Sequence, residues 1–156
     1  MMTLPLALVV AATALDGLLA GASLDQSIKQ LPARHRMGAV AFSVYSRAAD
    51  LGNGVLWYGI LGVGAALVTI AAGVATWIAG IPVGQALPLW SAVGLSILHS
   101  LVTAQAAPTN LSQRKVAGDK AALAQVFDRF ERWQALRCGL QLLTFGAMLW
   151  TLVAVR

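Results

Sequence analysis

The sequence predicts an all-α integral membrane protein, a four-helix bundle with amphipathic helical connectors on the cytoplasmic side. Three observations carry that expectation. Hydrophobic residues make up 58% and charged residues 11% of 156 positions, and the mean hydropathy is +0.74, far from the balance of a soluble domain. Apolar stretches long enough to cross the hydrocarbon, which takes about 20 residues, fall at 3–24, 51–79, 87–107 and 136–155. The basic residues are one-sided: Lys29, Arg34, Arg36 and Arg47 lie in or beside the first connector, Arg114, Lys115, Lys120, Arg129, Arg132 and Arg137 beside the third, and Arg156 alone at the other face. By the positive-inside rule both connectors are cytoplasmic and both termini outside, in what is expected to be a bacterial inner (cytoplasmic) membrane. Residues 1–156 read as a single transmembrane domain.

Charge and cysteine content narrow the function classes. The formal charge of +5 comes from residues beside apolar segments, where anionic lipid is the natural partner and nucleic acid is not implied. The lone Cys138 excludes an internal disulfide and a multi-cysteine metal site.

The first span, Thr3 to Leu24, has no preceding Lys or Arg and a longer apolar run than a signal peptide, so it reads as a retained helix. Gly17 and Gly21 form a Gly-x-x-x-Gly pair suited to close helix approach. Asp16 lies inside this span, where a carboxyl needs a partner. In the connector that follows, Pro32 biases Leu31 away from helix and is placed to start a new one. From Met37, the residues Val40, Ala41, Val44 and Tyr45 recur at helical spacing and predict an interfacial helix. The second span carries Ala65, Thr69 and Gly73 at every fourth position, a narrow face for packing, with Asn53, Trp57 and Tyr58 near its polar end.

The uncharged stretch from Gly80 to Pro88, with its glycines and prolines, predicts a short turn on the opposite face. The third span, through Trp90 and His99, is expected to stop at Pro108, where Thr109 or Asn110 caps a new polar helix. The charged run from Leu111 to Arg137 then leads into the fourth span, with Trp90 and Trp150 as belt residues at one boundary. A weak internal repeat relates the two halves: Phe42-Ser-Val-Tyr-Ser-Arg47 and Phe127-Asp-Arg-Phe-Glu-Arg132 share Phe-x-x-aromatic-x-Arg, each leading into an even-numbered span.

Pro32-Ala33-Arg34 after the first span, Pro108-Thr109-Asn110 closing the third, and Phe130-x-x-Trp133 before the fourth resemble the anthrone-oxygenase-like family of small four-span membrane proteins. The family pattern continues with His or Asn and then Arg where this chain has Arg137 and Leu140. For the members that are enzymes, the resemblance implies oxidation of a polycyclic anthrone to an anthraquinone by molecular oxygen. A positioned base and a flat apolar pocket suffice for that chemistry, because the ring carbon is acidic and its carbanion can reduce oxygen. No cofactor is expected, since the sequence has no dinucleotide glycine motif and no metal-ligand cluster, and His35 and His99 fall in separate regions.

Depth supplies the candidate site. At about 1.5 Å per residue, Asp16, Tyr58, His99 and Gln141 reach one layer from the four spans. His99 and Asp16 are the candidate catalytic pair, the carboxylate orienting the imidazole as base. Tyr58 and Gln141, with Asn53 and Trp57, are the candidate substrate contacts. The competing reading is that these residues hydrogen-bond one another and fix helix register. Trp133, Phe127 and Phe130 read as aromatic packing, and Arg34 and Arg132 as lipid-phosphate contacts. The expected partners are the bilayer, a hydrophobic aromatic small molecule, and other membrane subunits or a second copy. Three functions stay open: an oxygenase-like enzyme, favoured by a cavity at the Asp16/His99 layer; a non-catalytic small subunit stabilising a larger membrane complex, favoured by a filled interior; and a binding or transport bundle, favoured by a polar path.

Overall fold

The computed structural model describes residues 3–154; Val155, the end of the expected fourth span, and Arg156 lie outside them. All described regular structure is helical, and four helical stretches are long and apolar enough to cross a membrane. Helix α1 (Leu4–Asp25) starts with Pro5 in its first turn, where a missing N–H costs nothing. A π turn, Gln26–Gln30, joins it to α2 (Leu31–Met37), so that Leu31 stays helical in spite of Pro32, contrary to the expected break. Pro32 does fall in the first turn of α2. The widened turn absorbs the proline by changing the hydrogen-bond pattern ahead of it. Gly38, at φ 81° and ψ 155°, ends α2 in a region open to glycine alone.

Helix α3 (Ala39–Ala48) turns its side chains the opposite way from a soluble amphipathic helix. Val40, Ala41, Val44 and Tyr45 point outward, and Phe42, Ser43 and Ser46 are buried. A second π turn, Ala49–Asn53, bends at Gly52 and leads into α4 (Gly54–Ile78). Gly54 is required there, since a Cβ would meet the Ala49 carbonyl oxygen at 2.7 Å. The short turn expected before Pro88 is present, with Gly80 at φ 70° and the N–H groups of Gln85 and Ala86 both donating to the Pro82 carbonyl.

Helix α5 (Leu87–Leu111) runs straight through Pro108, which corrects the expected stop. The proline deletes one N–H, but the Thr109 hydroxyl bonds back to the Gln105 carbonyl at 3.1 Å instead of capping a new helix. Asn110 likewise is not a cap: it accepts from the Gln113 amide at 2.8 Å. A single 3-10 turn, Ser112–Arg114, follows. The new helix starts later, where Asp119 Oδ1 accepts from the N–H groups of Ala121 and Ala122. That helix, α6 (Lys120–Ala154), is one unbroken rod of 35 residues holding both the charged run and the fourth apolar stretch.

Helix α1 packs against α4 and α6, and α5 packs against the same two. Val9, Ala12, Ala72, Leu89, Ala92 and Met148 form one core near the end of the turn at 79–86. Leu19, Leu61 and Ala65 form a second, and Leu31, Phe42, Ala106, Leu123, Phe127 and Phe130 a third at the charged end. Trp133 packs on this third core, as its aromatic spacing suggested. Gly17 meets the Phe145 ring, whereas Gly21 faces open space, so only half of the Gly-x-x-x-Gly pair serves close approach. Thr69 and Gly73 are contact positions, Gly73 lying under Val93 and Trp90. Phe42 and Phe127, the equivalent positions of the weak repeat, meet edge to face at 5.0 Å.

Candidate functional site

The four residues expected in one layer divide three ways: Asp16 goes with Thr69, His99 with Gln141, and Tyr58 stands apart from both. Asp16, 4% exposed, accepts from the Thr69 hydroxyl at 2.9 Å across the α1–α4 contact. His99, 5% exposed, has its Nε2 hydrogen-bonded with the Gln141 amide of α6 at 2.7 Å and with the Thr103 hydroxyl one turn along α5 at 3.2 Å. Among the described residues no hydrogen bond joins Asp16 to His99, so the expected pair is replaced by Asp16–Thr69 and His99–Gln141. The carboxyl found the nearest hydroxyl on the helix α1 packs against, and the imidazole found the amide on the helix α5 packs against.

The Thr103 hydroxyl extends the histidine network toward the charged end. It accepts from Arg137 Nε at 3.0 Å and is paired with His99 Nε2 at 3.2 Å. Arg137 Nη1 donates to Gln134 Oε1 at 2.9 Å, and the Gln134 amide donates to the carbonyl and hydroxyl of Ser23 on α1. Three helices are thus tied by one polar chain with Arg137 at its centre. Among the described residues no carboxylate is within ion-pair distance of Arg137, and none accepts from its Nη2.

Arg137 opens into a cavity of about 280 Å³. Its walls are mostly apolar, from Leu19, Leu51, Val55, Ala107, Leu111 and Phe130, and its polar groups are Arg137, Tyr58, Thr103, Asp50, Asn110, Gln26 and Ser23. Asp50 is held by the Ser46 hydroxyl at 2.8 Å, and Ser46 in turn accepts from the buried amide of Gln113. Tyr58 lines this space. Gln141 and His99 stand behind Thr103, outside the lining, and Asp16 is likewise not part of it. Asn53 and Trp57 do not reach it: both are exposed, Trp57 to 56%, because one residue of helix turns the side chain about 100° away from the Tyr58 direction.

Sequence reasoning missed Asp50, Thr103 and Arg137 as cavity residues. Arg137 was visible as a departure from the family pattern, but it was counted with the cytoplasmic cations. Arg34 was also misassigned. It is buried and bonded to Asp128, at 2.7 Å, and to Glu131 of α6, so lipid phosphate is not its partner. Arg132 is exposed and turns back to the Asp128 carbonyl. Pro32 and Pro108 are exposed, Ala33 and Thr109 half-buried, and Asn110 buried among the cavity residues. No group of three His, Cys, Asp or Glu side chains able to hold a metal occurs among the described residues.

Comparisons of the chain with protein-family models, with curated proteins and with solved structures found no match.

Proposed function

We propose that the chain is an integral membrane four-helix bundle that binds a hydrophobic molecule carrying an ionisable oxygen, a flat aromatic ring being one such ligand, in the cavity at its cytoplasmic end. The observation that carries this reading is Arg137, a guanidinium without a carboxylate partner facing an apolar-walled space. A cation there is costly unless something anionic or strongly hydrogen-bonding meets it. A ligand oxygen at Arg137 and Tyr58, with a hydroxyl on the same ligand donating to Asp50, satisfies the polar groups while the apolar walls cover the ring. The Lys and Arg distribution supports a cytoplasmic position for this end, with both termini on the outer side of a bacterial inner membrane.

Binding is favoured over oxidation by the state of His99. The imidazole expected as base has its Nε2 engaged by Gln141 and Thr103 and does not line the cavity. The oxygenase reaction is balanced as anthrone plus oxygen giving anthraquinone plus water, and it needs a base that reaches the ring carbon.

The test uses the full chain in nanodiscs with 1,8-dihydroxyanthrone under argon as probe. Arg137→Gln is expected to weaken binding by about tenfold to a hundredfold, the worth of a hydrogen bond to a charged group, and Arg137→Lys by less. Equal binding by wild type and Arg137→Gln overturns the reading. Admitting air then asks about oxidation: conversion above that of empty nanodiscs, lost in His99→Ala, would restore the enzymatic function.

A further inference from the structure

The cavity does not end at its own walls. Leu51, Val55, Gly59 and Leu111 also line a shallow space of about 670 Å³ on the outer surface of α4, which continues along Leu56, Ile60 and Val63. The two spaces meet at the seam between α4 and the end of α5. Val55, Leu56, Ile60 and Val63 are between 52% and 69% exposed, on the face that a spanning helix turns to lipid. At the threshold stands Gly59, where an added Cβ would meet nothing within 4 Å. Toward the charged end the seam is closed by Arg114, which donates to the Leu51 carbonyl at 2.9 Å. Toward the other end the cavity is closed by the core of Leu19, Leu61 and Ala65. The way left open is sideways.

We infer that the ligand is a bilayer-dissolved single-chain amphiphile, which enters between α4 and α5 with its acidic head seated at Arg137 and its apolar chain left in the α4 groove. This rests on the binding reading above. Arg137, the cation of the cavity, places the head on its own side, away from Asp50, whose carboxyl is held by the Ser46 hydroxyl, and the groove holds a chain because it is apolar along its length apart from Arg114. Lipid is as apolar as the groove, so the chain adds little affinity. What it adds is a route and an orientation: a molecule already aligned in the leaflet needs only to slide past Gly59.

The experiment uses the full chain in nanodiscs and a long-chain carboxylic acid carrying a diazirine at mid-chain, with labelled residues mapped by mass spectrometry. In wild type the label is expected to concentrate at 55–63 and at Leu111, and to fall about tenfold with excess unlabelled acid but not with an alkyl amine of equal length. Gly59→Phe places a ring at the threshold, where a Cβ meets nothing within 4 Å, and should remove this label. Gly94→Phe, equally open and lining neither space, should leave it unchanged. Tailless 1,8-dihydroxyanthrone is the parallel probe. If it binds in an Arg137-dependent way while the label spreads over the outward faces of all four helices, or survives Gly59→Phe, lateral entry is overturned and the binding site stands. If it shows no Arg137-dependent binding, the site itself falls and this inference falls with it.

Discussion

Asp16 and Thr69 form the kind of contact that decides whether a carboxyl buried in an apolar helix is tolerated: one hydroxyl, 2.9 Å away, on the neighbouring helix. Thr69→Val keeps the shape and removes that donor, so it should destabilise the protein by about 1–3 kcal/mol, the cost of a buried polar group left unmade. Asp16→Asn keeps an oxygen for Thr69 and should cost less; thermal unfolding in detergent compares the two, and equal losses would mean that the bond contributes nothing. The sequence demanded a partner for Asp16 but pointed to His99. Rise per residue fixes the depth of a side chain, whereas its direction around the helix axis is set by packing, and packing turned Asp16 toward α4 and His99 toward α6. The same ambiguity put Trp57 beside Tyr58 as a site residue when one residue of rotation separates the lipid face from the cavity. Arg137 was harder to read, because a cation about five turns inside a long helix looks in sequence like one more member of the charged run before it.

Among the elements, the helices at the charged end are joined by an apolar core of the soluble kind, where Phe127 is fully buried against Phe42. Phe127→Ala should cost about 3–5 kcal/mol through lost burial and the cavity it leaves and should loosen α3 from α6, read as faster amide exchange across Ala39–Ala48; exchange unchanged there would show that α3 is held by other contacts. Gly38 has a different role. At φ 81° and ψ 155° it makes the corner between α2 and α3, and although a Cβ would touch nothing, Gly38→Ala should cost about 1–3 kcal/mol in backbone strain alone. The apolar parts of all four long helices were legible from length and hydropathy. Their ends were not. Pro32 looks like a break and Pro108 like a stop in a sequence, yet the chain stays helical at both, with a π turn ahead of the first and a threonine back-bond beside the second. The charged run and the fourth apolar stretch differ so much in composition that nothing in their periodicity shows they are one rod, α6.

At the scale of the whole molecule, the proposed orientation makes a direct prediction. In a Cys138→Ser background, a cysteine at Gly84 should react with an impermeant reagent added to intact cells, and a cysteine at Lys120 should react only after the membrane is opened; the reverse pattern would invert the topology. The pairing of Arg34 with Asp128 and Glu131 then acquires a meaning in time. Its carboxylates are encoded 94 and 97 residues after it, so at a synthesis rate of about 5–20 residues per second the guanidinium waits roughly 5–20 s on the ribosome before its counter-charges exist. Until then the first two helices end in a bare cation that the finished protein hides, 8% exposed. Only a chain made through the start of its last helix can neutralise it, so an interrupted or truncated product carries its own mark of incompleteness.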